Sequence, residues 1–108
     1  KQIKKVRKVY KEKYEFAIKC INKYINPTFI WGEGGLHIYI RIEGVDSRQL
    51  LEECYKEGVI FTPGDIFSVD DSCKECLRLG LSRLSIEEIE QGIKIIGEVI
   101  KNLKIINI

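Results

Sequence analysis

The stretch CLRLGLS, residues 76–82, sets one arginine among alternating leucines. Successive side chains of a β-strand point to opposite faces, so this alternation predicts a strand whose leucines share one face. Arg78 then lies on the other face, beside Gly80. Because Gly80 has no side chain, it leaves room next to a guanidinium whose planar fork suits a carboxylate or a phosphate. The alternative is a solvated arginine on the wet face of an antiparallel sheet.

Two further stretches predict strands of the same sheet. The run LHIYIRI (36–42) alternates apolar and polar residues, and the run VIFT (59–62) is β-branched and aromatic. Pro63 and Gly64 follow the second run and are expected to turn the chain. We expect the strands to span 35–43, 59–62 and 76–82. The register should bury Leu36, Ile38, Ile40, Leu77, Leu79 and Leu81 together.

Three amphipathic patterns predict helices at 3–25, 46–57 and 86–103. The first ends at Asn26 and Pro27, since the residue before a proline disfavours helical backbone. The second is capped by Asp46, and the third begins with a capping box of Ser85 and Glu88. Along the second helix, four residues are expected to face the core: Leu50, Leu51, Cys54 and Tyr55.

These elements predict an α+β domain with the order α-β-α-β-β-α. Its small, three-stranded, mostly antiparallel sheet carries the helices on one face. A chain of 108 residues, 44% of them hydrophobic, is the size of one domain with a single modest core. Residues 1–108 are therefore expected to form one domain. Methionine is absent even at position 1, which predicts that the chain is a piece of a longer protein.

Composition argues against several functions. The formal net charge of +2 is too small for a nucleic-acid-binding polycation, and the basic run at 1–13 is expected to be a solvated helix face. No stretch approaches the roughly 20 apolar residues that span a bilayer, so no membrane partner and a cytoplasmic location are expected.

Four cysteines do not predict a metal or redox site. Cys73 and Cys76 form a single CxxC motif without a second pair at ligand spacing, and no secretory signal accompanies Cys20 and Cys54. Reduced thiols are expected. His37 has no carboxylate or nucleophile placed beside it by the sequence, so it is not expected to act as a general base.

The ordered set GGLHIYIRI (34–42), GVIFTPGDIF (58–67) and LRLGLS (77–82), followed by a helix IEEIEQGIKIIGEVI (86–100), resembles a known family. It is similar to the C-terminal small domain of fold-type I aminotransferases, which use pyridoxal phosphate. The resemblance is closest to the aminotransferase-like domain of GntR/MocR-type transcription regulators, whose first helix is similar to IKKVRKVYKEKYEF (3–16).

The resemblance implies that Arg78 binds the carboxylate of an amino-acid substrate or effector. It also implies that Gly34, Gly35, Pro63 and Gly64 lie near the mouth of the pocket. Pyridoxal phosphate and its lysine belong to the large domain of such proteins. No catalytic, cofactor-binding or metal-binding residue is therefore expected within this chain, which should neither bind the cofactor nor transaminate alone.

Three functions follow. The first, which the resemblance favours, is the effector-sensing part of a regulator that binds DNA through a separate N-terminal domain. The second is the small domain of a catalytic aminotransferase, and the third is a free-standing α+β binding module. The resemblance implies a homodimeric parent that binds an amino-acid-like ligand. The sequence alone does not choose between a regulator and an enzyme.

Overall fold

Three helices and four strands make up the described part of the chain. The computed structural model describes residues 2–32, 37–64 and 74–106, and of residues 2–10, 105 and 106 it describes the backbone. The helices are α1 (Gln2–Tyr24), α2 (Ser47–Lys56) and α3 (Ile86–Ile106). The strands are β1 (Phe29–Trp31), β2 (His37–Arg41), β3 (Thr62–Pro63) and β4 (Cys76–Gly80).

The strands form one antiparallel sheet in the order β1, β2, β4, β3. The predicted α+β class with a single antiparallel sheet is confirmed. The described sheet has a fourth strand, β1, which the sequence pattern did not predict. Three residues are too short a run for alternation to be recognised, and β1 is defined by its pairing with β2.

The third strand is shorter and later than predicted. Pairing with β4 is confined to Thr62 and Pro63, while Ile60, expected within this strand, is exposed. Pro63 is therefore a strand residue and not the start of the turn. A proline is tolerated there because β3 is an edge strand of the described sheet, where one backbone N–H is not needed for pairing.

The register of the sheet confirms the predicted division into two faces. Ile38 pairs with Leu79 and Ile40 pairs with Leu77, and directly paired residues lie on the same side. All four side chains are buried, as is Leu81, whereas Leu36 lies outside the described residues. We call this side of the sheet the covered face.

Helix α2 has the predicted N-terminal cap. The Asp46 side chain accepts hydrogen bonds from the backbone N–H groups of Arg48, at 2.8 Å, and Gln49, at 3.3 Å. Gly58, with a φ of +83°, follows the helix in the left-handed conformation that suits glycine. Leu50 and Cys54 are buried and Leu51 is half-buried, but Tyr55, predicted to face the core, is 67% exposed.

Helices α1 and α3 pack against each other and against the covered face. The predicted capping box is present, because the Ser85 N–H donates to Glu88 Oε1 at 3.0 Å and the Glu88 N–H donates to Ser85 Oγ at 3.1 Å. The two helices approach closely where Gly97 meets the backbone of Tyr24, since a Cβ at Gly97 would overlap the Tyr24 carbonyl oxygen. Ile86, at the start of α3, is exposed.

One hydrophobic core joins the helices to the sheet. Its members come from all three helices and from the covered face, including Ala17, Ile21, Ile38, Ile40, Leu50, Leu77, Ile89, Ile93, Ile96 and Leu103. Within the described ranges, no helix is both long and apolar enough to cross a membrane.

Candidate functional site

The face of the sheet opposite the helices carries the candidate site, and we call it the open face. The register places four residues in a row across the strands, namely Trp31 (β1), Tyr39 (β2), Arg78 (β4) and Thr62 (β3). Because directly paired residues point to the same side, their side chains belong to one surface. Successive residues of each strand point alternately to the covered face and to the open face.

Arg78 lies near the centre of the described sheet. Strand β4 has a paired strand on each side, so Arg78 is flanked by Tyr39 and by Thr62. Its side chain is half-buried, and its neighbours in sequence, Leu77 and Leu79, are buried on the opposite face. The predicted orientation of Arg78 is therefore confirmed, and it presents a guanidinium on the face that the helices leave open.

Two aromatic rings stand beside Arg78 in the row. Trp31 and Tyr39 are stacked, with ring centroids 5.6 Å apart and planes inclined by 9°. Trp31 is 45% exposed, whereas Ile30, next to it in β1, packs against the core. Trp31 therefore lies on the open face, and its neighbour Ile30 faces the core.

A second arginine on the open face is held by an acid. Arg41 donates from Nε and from Nη2 to the same oxygen, Oε1 of Glu75, at 3.1 and 2.9 Å. The other oxygen of Glu75 accepts the backbone N–H of Gly44 at 2.7 Å. The Gly44 N–H and then the Arg41 guanidinium lower the pKa of Glu75, and the hydrogen bond to Glu75 raises the pKa of Arg41.

His37 lies beside Gly80 at the end of the same two strands. The two residues are directly paired, and a Cβ built on Gly80 would lie 3.7 Å from Nδ1 of His37. That is an ordinary van der Waals distance, so Gly80 leaves a narrow space against an imidazole. His37 is exposed, as predicted for a surface histidine.

The residues predicted to line the pocket are only partly described. Gly34 and Gly35 lie outside the described residues. Pro63 is buried and pairs with Leu77 on the covered face, so Thr62 is the residue of β3 that stands beside Arg78. Gly64 is also buried, and its N–H donates to Ser47 Oγ at 3.4 Å. The pocket-lining role of these four residues stays a prediction.

The three described cysteines are buried thiols. Cys20, Cys54 and Cys76 form no disulfide, and Cys73 lies outside the described residues. Burial raises the pKa of Cys54 to about 12, which keeps this thiol protonated and unreactive at neutral pH. No cluster of histidine, cysteine and acidic side chains with metal-binding geometry occurs in the part of the chain that is described.

The lysines whose side chains are described do not fit a pyridoxal-phosphate site. A lysine that attaches to this cofactor stands in an enclosed pocket, where desolvation favours its neutral amine. The lysine side chains described here are exposed, apart from the half-buried Lys13 on α1. The described residues therefore do not by themselves form a holder for that cofactor.

Comparison with known proteins identifies the domain. No family model matches the chain. The chain is 33% identical over 101 residues to an uncharacterized aminotransferase of Saccharolobus solfataricus. The match covers 91% of this chain and 25% of the relative. The chain is also 30% identical over 104 residues to aromatic-amino-acid aminotransferase 1 of Thermococcus litoralis. This match covers 94% of this chain and 25% of the relative. The chain is homologous to aminotransferases of fold type I.

Regulators are also relatives of this aminotransferase-type domain. The uncharacterized HTH-type transcriptional regulator YdfD of Bacillus subtilis is 24% identical over 104 residues, covering 94% of this chain and 21% of the regulator. Both groups of proteins named by the resemblance are thus found among the homologues. The aminotransferase-type domain spans a fifth to a quarter of the length of the curated relatives it matches.

Solved structures show the same fold for this aminotransferase-type domain. The structure of Pyrococcus horikoshii kynurenine aminotransferase superposes with a TM-score of 0.82 at 30% identity, covering 94% of this chain and 26% of that chain. The described α+β arrangement of helices and antiparallel strands is that of the aminotransferase small domain. The open face, with Arg78 near its centre, is therefore a surface of a small domain.

Proposed function

We propose that this domain binds the α-carboxylate of an amino acid through Arg78, within a pyridoxal-phosphate-dependent protein of the aminotransferase type. The observation that carries the proposal is the position of Arg78. It is half-buried on the open face, between two paired strands, in a domain homologous to aminotransferases. Partial burial restricts the side chain, so less conformational freedom is lost when it meets a carboxylate.

The chemistry of the row suits a carboxylate. A guanidinium offers two parallel N–H donors to the two oxygens, and such charge-assisted pairs are shorter and stronger than neutral hydrogen bonds. Tyr39 and Thr62 flank Arg78 on the paired strands and each carries a hydroxyl group. Partial burial of Arg78 by its neighbours reduces the competition of water for its donors.

The cofactor belongs to the remainder of the full-length protein in this proposal. When bound, pyridoxal phosphate withdraws electrons from the bonds at the α-carbon of an amino acid. The part of this chain is to hold the amino acid by its carboxylate, so that the α-carbon is presented to the cofactor in a fixed orientation. A homodimeric parent remains part of the proposal.

An aminotransferase is the parent protein that we infer first. Both curated relatives with at least 30% identity are named aminotransferases, and the similar solved structure at 30% identity is a kynurenine aminotransferase. The parent would transfer an amino group between an amino acid and a 2-oxo acid. This order reverses the preference taken from the sequence, since the regulators are 24% and 27% identical.

A regulator of the GntR/MocR type is the second candidate. Two HTH-type regulators match 94% and 91% of this chain, so the same small domain occurs in such proteins. In that case Arg78 would bind an amino-acid effector, and DNA would be bound by a separate N-terminal domain. Arg78 has the same role in both candidates. Its ligand is a substrate in the aminotransferase and an effector in the regulator.

Substitution of Arg78 in the full-length protein tests the common proposal. We expect Arg78→Ala to weaken amino-acid binding by about ten- to a hundredfold, since a hydrogen bond to a charged group contributes roughly 1.5 to 3 kcal/mol. Arg78→Lys should restore part of the affinity, because it keeps the charge without the planar fork. The measurement is calorimetric titration of the cofactor-loaded protein with an amino acid.

Arg83→Ala is the matched control. Arg83 is an exposed arginine in the turn after β4, so its removal alters the net charge equally without touching the open face. Unchanged affinity in a folded Arg78→Ala variant would refute the proposal. Amino transfer to a 2-oxo acid by the full-length protein identifies an enzyme, and amino-acid-dependent DNA binding without transfer identifies a regulator.

A further inference from the structure

The open face carries two arginines at neighbouring positions, Arg41 on β2 and Arg78 on β4. Arg41 pairs with Cys76 across β2 and β4, and Arg78 lies two residues further along β4 on the same face. Such diagonal neighbours are about 7 Å apart in an antiparallel sheet, well within reach of two long side chains. The two guanidinium groups are therefore able to reach opposite ends of one amino acid that has a carboxylate at each end.

Arg41 already holds a carboxylate of the chain itself. Nε and Nη2 of Arg41 both donate to Oε1 of Glu75, so the guanidinium fork is engaged by one carboxyl group. Glu75 is in turn fixed by the Gly44 N–H at Oε2, and its own backbone carbonyl accepts the Ile42 N–H at 2.9 Å. The acid is thus held from both sides against the guanidinium of Arg41.

We propose that Glu75 acts as an internal carboxylate that occupies Arg41 and disfavours amino acids with an acidic side chain. This inference rests on the proposed role of Arg78 in binding the α-carboxylate. A dicarboxylic amino acid on Arg78 would have to displace Glu75 from Arg41, and would meet its negative charge. An amino acid with a neutral side chain meets neither obstacle. Glu75 is therefore a specificity-determining residue that need not touch the ligand.

The expected effect is moderate. The side chains of Arg41 and Glu75 are 41% and 28% exposed, so solvent screens the pair more than it would screen a buried one. Removal of the Glu75 charge should free the guanidinium for a ligand carboxylate without changing the α-carboxylate contact. The test therefore depends on the direction in which the preference between an acidic and a neutral amino acid changes, more than on the size of that change.

The experiment compares L-glutamate with L-glutamine, which have nearly the same shape and differ in charge. In the cofactor-loaded full-length protein, we expect Glu75→Gln to shift the ratio of the two dissociation constants about three- to fivefold towards L-glutamate. Glutamine at position 75 can still accept the Gly44 N–H, so the local fold is retained. Adding Arg41→Gln to this variant should abolish the shift, because the freed cation is then absent.

The outcomes separate the two proposals. The ratio of the two dissociation constants can stay the same in Glu75→Gln, whether or not both ligands bind more weakly. That result overturns the assignment of Glu75 to specificity and indicates a structural role. If Glu75→Gln does not fold, Glu75→Asp keeps the charge at a shorter reach, and it should shift the ratio in the same direction by a smaller factor. The α-carboxylate proposal fails separately, if Arg78→Ala leaves the affinity for L-glutamine unchanged.

Discussion

The two faces of the sheet are made by the same four strands and have different chemistry. On the covered face, Ile38, Ile40, Leu77 and Leu79 are buried beneath the helices. On the open face the same strands present stacked aromatic rings and two arginines, and Arg41 is held by hydrogen bonds to Glu75. The proposal thus assigns stability and recognition to alternate residues of one strand, and it predicts that one can be changed with limited effect on the other.

The largest expected contrast is between Leu77 and Arg78, which are adjacent in β4 and face opposite ways. Leu77→Ala should lower the free energy of unfolding by about 2 to 5 kcal/mol, because it leaves a cavity beneath the helices. Arg78→Ala should lower it by less than about 1 kcal/mol. Urea denaturation of both variants measures the contrast. Equal losses of stability would show that the open face also supports the fold.

A smaller effect is expected within the helix layer, at two glycines of α3. Gly97→Ala should destabilise the fold by about 1 to 3 kcal/mol, because its Cβ would overlap the Tyr24 carbonyl oxygen and the backbone of α1 would have to shift. Gly92→Ala is the matched control, since a Cβ there meets nothing within 4 Å. It should be neutral or stabilising by up to about 1 kcal/mol. Thermal unfolding measures both variants. Melting temperatures that change in the same direction for both would contradict the close approach of α1 and α3.

The smallest effect concerns the ion pair of the open face as the pH falls. The pKa of Glu75 in the folded protein lies below its ordinary value, so the ionised acid stabilises the fold above about pH 4.3, and this contribution is lost as the pH falls through the folded pKa. The difference in stability between wild type and Glu75→Gln should therefore shrink from about pH 6 to about pH 3. A difference that does not change with pH would mean that the charge of Glu75 does not contribute.

Local patterns were sufficient to predict most of the covered face. Alternation in 76–82 placed Leu77 and Leu79 inside and Arg78 outside, because a half-buried strand must repeat every two residues. Capping residues located the starts of α2 and α3, since Asp46 and Ser85 bond to N–H groups within their own first turns. Such information lies within a few residues of the chain.

Contacts between distant segments could not be predicted. Arg41 and Glu75 are separated by 34 positions, and their pairing depends on β2 and β4 being neighbours. Strand β1 is likewise too short to be recognised without its partner. Tyr55 was misplaced for a related reason, because a helical pattern gives the apolar stripe without showing how far the neighbouring elements extend over it.

The strand order also determines how this sheet can meet another chain. Among the described strands, β1 and β3 form the two edges, and edges with unpaired N–H and C=O groups invite pairing between molecules. Pro63 removes an N–H from the β3 edge, whereas β1 exposes Phe29 and Trp31. A proline on an edge strand disfavours pairing with a further strand. At high concentration, pairing between molecules is therefore expected through β1 in preference to β3.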